Sequence, residues 1–179
     1  MTPENTGEEK LDTPQQDALT RATLVGETRR IAESPCIVDE GAGLRDVAEA
    51  LSAHRGVHTI AVVNAAGALA GIIPARLLLD ELFLQVAPEE FLTDILDQER
   101  VEEYGRMVRA HTAGELMQEP AYVRAEDTMG DAFALMRDRE LEGLTVVDEH
   151  LKPMGYLDRL ELVEVWLQMH QSAEGGSTA

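Results

Sequence analysis

Apolar residues along this chain fall into helical stripes and short strand-like runs, and the same order of blocks occurs twice. Leu44, Val47, Ala48 and Leu51 sit at i, i+3, i+4 and i+7, one apolar face of a helix. Met129, Ala132, Phe133 and Met136 repeat that spacing, with Asp127 or Thr128 placed to cap the helix start. Ile60–Val63 and Leu144–Val147 are short apolar runs of β-branched and aliphatic residues. The polar stretches Asn64–Gly67 and Asp148–Pro153 follow them and predict turns into a third strand. Second helices are expected over Arg76–Val86 and Arg159–His170. The latter is apolar on several sides through Leu160, Leu162, Val163, Val165, Trp166, Leu167 and Met169, more than one core face requires.

The correspondence extends to individual residues. Ser34-Pro35-Cys36-Ile37-Val38 recurs as Glu119-Pro120-Ala121-Tyr122-Val123, and Ala70-Gly71-Ile72-Ile73 recurs as Met154-Gly155-Tyr156-Leu157. Gly26-Glu27-Thr28 has its counterpart in Gly114-Glu115-Leu116. Each unit therefore reads strand, helix, strand, strand, helix. The repeat also decides a question raised by Gly56–Ala75, a run without charge that is long enough to span a bilayer. Its copy carries Glu142, Asp148, Glu149, Lys152 and Asp158, so both runs are buried strands and turns rather than membrane spans.

Composition narrows the function. Thirty-four acids against fifteen bases give a net charge of −19, which repels phosphate backbones and argues against nucleic acid as a partner. One cysteine, Cys36, excludes an internal disulfide and a cysteine zinc site, and its place on the opening strand makes it a small core residue. The start of the chain lacks the apolar stretch of a signal peptide, so a cytoplasmic location is expected. Between the units, Asp80–Tyr104 holds nine acids against Arg100 alone, a charge of −8. Pro88 with Glu89 and Glu90 suits a helix start there, and Phe91, Leu92, Ile95 and Leu96 form a stripe. A solvated helical linker, a dock for a basic partner, and a divalent-cation site using Asp94, Asp97 and Glu99 are the three readings of that segment. The scattered histidines form no ligand pair, Arg137 and Arg139 read as solvated, and no phosphate loop, triad or acid pair is present. The sequence thus points away from an enzyme.

The tandem strand–helix–strand–strand–helix pair resembles the CBS domain pair, or Bateman module, over about Val25 to Met169 apart from the insert. The resemblance implies a mixed α+β and α/β fold of two repeats packed about a pseudo-twofold axis, with an extra helical insert. The expected division is an acidic tail over 1–24, repeats over 25–79 and 111–170, the insert over 80–110, and a flexible tail over 171–179. Members end each unit with glycine, two apolar residues, Thr or Ser, two variable residues and Asp. The Asp holds the ribose hydroxyls of an adenosyl ligand, and the Thr or Ser orients that ribose.

Both copies here depart from that ending. Gly71-Ile72-Ile73 is followed by Pro74 and then Leu77, which cannot accept a hydroxyl proton; with His58 beside it, the first cleft is expected to be degenerate. Gly155-Tyr156-Leu157 is followed by Asp158 and Glu161, with Arg159 between them to meet a phosphate. The resemblance therefore implies a second cleft formed by Tyr122, Thr145, Asp158, Arg159 and Glu161. It would take AMP, ADP, ATP or a related ligand, with or without Mg²⁺, and no resident cofactor or metal. The function so implied is that of a stand-alone homodimeric sensor acting on a separate enzyme or transporter, without membrane insertion. A CBS-like scaffold that has lost its ligand is the alternative.

Overall fold

A computed structural model describes residues 22–27, 34–86, 110–161, 163 and 167. The expected Pro88 helix with its apolar stripe, the Asp94, Asp97 and Glu99 spacing, both tails, and Leu162 and Trp166 lie outside the described residues. The first unit consists of β1 (Ile37–Asp39), α1 (Leu44–Ala53), β2 (Thr59–Val63), β3 (Leu69–Pro74) and α2 (Ala75–Val86). A short helix, α3 (Ala113–Leu116), leads into β4 (Tyr122–Arg124), α4 (Met129–Asp138), β5 (Gly143–Val147) and β6 (Pro153–Asp158). Glu161, Val163 and Leu167 then stand in helical conformation. α2 continues through Val86, past the boundary expected after residue 79.

Each unit builds a three-stranded sheet with its middle strand parallel to the first and antiparallel to the third, in the orders β1-β2-β3 and β4-β5-β6. The parallel pairs follow from their connections, since α1 and α4 carry the chain back to the end where it began. Of the two expected caps, Thr128 is the one that starts α4: its hydroxyl accepts the Asp131 N–H and donates to Asp131 Oδ2 at 2.7 Å. The turns between the second and third strands are matched side-chain bonds. Asn64 Oδ1 accepts the N–H groups of Ala66 and Ala68, and Asp148 Oδ1 accepts those of His150 and Lys152.

The opening segment of each repeat docks on the other repeat. Val25 and Gly26 donate to Asp127 and Ala125 carbonyls at 2.8 and 2.9 Å, while Ala113 and Gly114 donate to Ala42 and Glu40, each at 2.8 Å. Val25 and Ala113 are fully buried in these contacts. The repeats are therefore consecutive in sequence but interlocked in space.

Two apolar cores carry the fold, and each recruits side chains from the opposite unit. Met129, Ala132 and Met136 of α4 pack on Leu144, Val146 and Leu157, together with Ala61, Leu69 and Ile72 of the first unit. Leu44, Val47, Ile60, Val62, Ile73 and Leu78 form the other core, which Tyr156 of the second unit enters. Each fully buried aliphatic side chain contributes roughly 1.5–3 kcal/mol. The units thus share this stabilisation instead of folding around two private cores.

Candidate functional site

Residues of both units meet at the seam between β2 and β5. Thr59 opens β2 and Gly143 opens β5, and the Thr59 hydroxyl donates to the Gly143 carbonyl at 2.9 Å. The residue before each strand also steadies the following helix start: His58 C=O accepts the Ala75 N–H, and Glu142 C=O accepts the Arg159 N–H, both at 2.8 Å. These backbone bonds place Pro74–Ala75 and Asp158–Arg159 at corresponding points of the two units.

The side chains on this frame differ between the copies. Asp158 Oδ1 accepts the Leu160 N–H at 2.6 Å, which fixes the carboxylate at the mouth of the seam. Its Oδ2 lies 3.6 Å from His58 Nδ1, with 18% of the Asp158 side chain and 50% of the His58 side chain exposed. The sequence sets His58 beside Pro74 and Leu77 in the first cleft, and the structure also brings its ring to Asp158 of the other unit. Pro74 is buried and Leu77 packs half-buried on the first core, neither offering an acceptor side chain.

Arg159, which the sequence offers to a phosphate, pairs its guanidinium with Glu142 at 3.2 Å, the carboxylate that stands where the first copy has His58. Both partners are about half exposed, so the pair contributes no more than about 1 kcal/mol and can be exchanged. Glu161 is 2% exposed, a carboxylate carried on the helix that follows β6.

Tyr122 and Thr145 lie farther along the same sheet. Tyr122 pairs in register with Thr145, and Thr145 with Tyr156, so the three side chains form one row across the strands. Gly143 and Asp158 form a neighbouring row on the same face, since they lie two residues away along their strands. Thr145 is wholly buried, and its Oγ1 has no hydrogen-bond partner among the described residues.

Tyr156 is the residue that sequence reasoning passes over. Its hydroxyl accepts the His58 N–H at 2.9 Å, and burial, the main cause, pushes its pKa up to about 12. A Cβ at Gly143 would collide with the Tyr156 hydroxyl and ring. The absent side chain at Gly143 is what lets the phenol cross the seam. A glycine facing an aromatic residue in the third strand is a usable sequence signal, but only once the strand register is known.

Among the described residues no group of three or more His, Cys, Asp or Glu side chains is arranged to hold a metal ion. No helix among them is long and apolar enough to cross a membrane.

The CBS domain model matches residues 28–84 and 113–167. No curated protein matches the chain. Among solved structures, a CBS domain-containing protein from Thermotoga maritima is 23% identical, with a TM-score of 0.63, covering 80% of this chain and 94% of its own. CBSX2, a CBS-pair protein from Arabidopsis thaliana, solved in complex with AMP, is 22% identical with a TM-score of 0.58, covering 82% and 98%. The CBS domain pair of protein MJ0100, in complex with 5′-methylthioadenosine and S-adenosyl-L-methionine, is 16% identical with a TM-score of 0.59, covering 83% and 98%. At these identities the likeness speaks to the fold.

Proposed function

This chain belongs to the CBS domain family, and from that premise we propose that it senses an adenosine-containing ligand and modulates a separate enzyme or transporter. The observation that carries the reading is the pair of carboxylates after β6. Asp158 and Glu161 occupy the positions at which the family orients and clamps a ribose, and both are held in place, one by the Leu160 N–H and the other by burial. A carboxylate shielded from water is a strong acceptor for a ligand hydroxyl, because the bond is charge-assisted and no solvent competes. The structural relatives with AMP, 5′-methylthioadenosine and S-adenosyl-L-methionine lend support. All three ligands share the adenosyl group and differ in charge.

The ligand seats near Tyr122, Thr145, Asp158 and Glu161, and His58 of the first unit adds to this set from across the seam. Contacts from both units give the ligand a means of acting, because binding then favours one relative placement of the repeats. Pro74 and Leu77 deprive the other cleft of its clamp, so one ligand per chain is expected. Those two residues also favour the alternative, a CBS-like scaffold without a ligand.

Calorimetry with AMP, S-adenosyl-L-methionine and 5′-methylthioadenosine decides between the two readings. Glu161→Ala should weaken binding by roughly 1.5–3 kcal/mol, the value of a hydrogen bond to a charged group. Leu77→Ala should leave it unchanged. Thermal melts of Glu161→Gln and Glu161→Ala separate lost folding from lost contact. Unaltered affinity in a folded Glu161→Ala, or no binding of any adenosyl compound at millimolar concentration, replaces the sensor with the scaffold.

A further inference from the structure

Two ionic contacts are built on the adjacent residues Asp158 and Arg159, and they differ in kind. Arg159 pairs with Glu142 at 3.2 Å, a contact within the second unit between groups that ordinarily keep their charges at neutral pH. His58 brings Nδ1 to 3.6 Å from Asp158 Oδ2, and this contact runs from the first unit to the second. The pairs Arg45–Glu49, Arg137–Asp138 and His150–Glu149 join near neighbours in sequence and tie neither unit to the other.

Both partners of the cross-unit contact are held in place. The His58 N–H donates to the Tyr156 hydroxyl at 2.9 Å and its C=O accepts the Ala75 N–H at 2.8 Å, so both units fix the backbone that carries the ring. Asp158 Oδ1 accepts the Leu160 N–H at 2.6 Å, while Oδ2 lies towards the ring. The Asp158 side chain is 18% exposed, where salt screens a charge less than at the open surface. Among the described residues His58 alone brings a basic nitrogen within 4.0 Å of Asp158, because Arg159 turns to Glu142. The other ionisable groups on the elements that meet there are Tyr156 in β6, Glu161 on the helix after it, Glu142 before β5, Arg55 before β2 and Arg76 in the first turn of α2. His54, on the same loop as Arg55, turns its own Nδ1 to the Ala50 carbonyl at 2.8 Å.

We propose that His58 and Asp158 form a proton-operated clasp between the two repeats. A proton on the imidazole turns the contact into an ion pair that holds the start of β2 against the end of β6, and loss of the proton releases it. Histidine is the side chain that ordinarily changes its charge between pH 5 and 8, a range over which a carboxylate ordinarily stays ionised. The clasp therefore adds stability on the acid side of that range and is lost as the pH rises through it. It draws on no ligand, so it stands or falls apart from the adenosyl reading.

Thermal melts of the full chain at about pH 5.5 and about pH 8 test this, with His58→Gln, Asp158→Asn and the double variant compared at each pH. Asparagine keeps an acceptor for the Leu160 N–H, and glutamine replaces a ring that is 50% exposed, so the variants keep the fold. The comparison cancels the protonation of the other histidines, which all four proteins share. At about pH 5.5 the losses of the two single variants should overlap in the double variant by about 1–3 °C. At about pH 8 the overlap should vanish. His58→Arg, whose charge does not titrate, should keep its overlap with Asp158→Asn at both pH values. Losses that simply add at about pH 5.5, or an overlap of equal size at both pH values in the His58→Gln cycle, overturn the clasp. An overlap in the His58→Arg cycle that vanishes at about pH 8 also overturns it, because ring charge would then not be what joins the units.

Discussion

Glu140 and Leu151 are the only non-glycine residues at positive φ among the described residues, at 53° and 61°. Gly56 and Gly67 serve the corresponding turns of the first unit at 92° and 75°. The left-handed region brings Cβ against the following carbonyl, at a cost of roughly 1–2 kcal/mol. Leu151 offsets this by packing on the second core and accepting the Leu69 N–H across the seam at 2.8 Å. Glu140 is exposed at the end of α4 and has no such packing. Glu140→Gly should therefore stabilise the protein by about 1 kcal/mol, less the entropy glycine gains in the unfolded chain. A rise in the urea midpoint at constant m-value checks it. The hydroxyl of Tyr156 gives a second test at this scale. Tyr156→Phe removes the acceptor of the His58 N–H and should cost about 1–3 kcal/mol. The same residue sets an alkaline limit. The folded pKa is raised to about 12 against an ordinary 10.0, so its contribution is complete below pH 10 and is lost as the pH rises towards 12. Stability measured from pH 9 to 12 should fall less steeply in Tyr156→Phe than in the parent.

At the scale of elements, much is legible in the sequence because the forces that make them are local. The stripe from Met129 to Met136 and the cap at Thr128 fix α4, and the apolar runs beside Asn64 and Asp148 fix the strands and their turns. The repeat supports each assignment with an independent copy. The seam is less legible, since its bonds join residues that no local pattern relates: His58 to Tyr156 is a contact across 98 positions. Chain order therefore does not reveal Asp158 beside His58, and it offers Arg159 to a ligand without revealing Glu142 as its partner. The exchange of opening segments is also hidden, although both segments carry the recurring Gly-Glu pair.

At the scale of the molecule, apolar side chains of both units stand exposed outside the two cores among the described residues. Leu79 on α2 is 60% exposed, and Val163 at the corresponding position of the second unit is 51% exposed, with Leu167 at 44%. Leu160 adds to the second patch at 65%. An amphipathic helix normally turns such residues inward, and α2 does so with Leu78, which is 1% exposed. An apolar flank outside the core suits cover by another chain. A second copy is the partner that meets the repetition, because a twofold axis presents both patches of one chain to both patches of the other. The net charge of −19 opposes this association at long range, so the dimer should tighten as salt screens the repulsion. Light scattering at tens of micromolar protein is expected to give twice the chain mass at about 0.15 M salt. Leu79→Glu and Val163→Glu, singly or together, should return it to the monomer mass with an unchanged circular dichroism spectrum, since neither side chain belongs to a core. A parent that scatters as a monomer at high salt, or a double variant that stays dimeric, would place the assembly surface elsewhere.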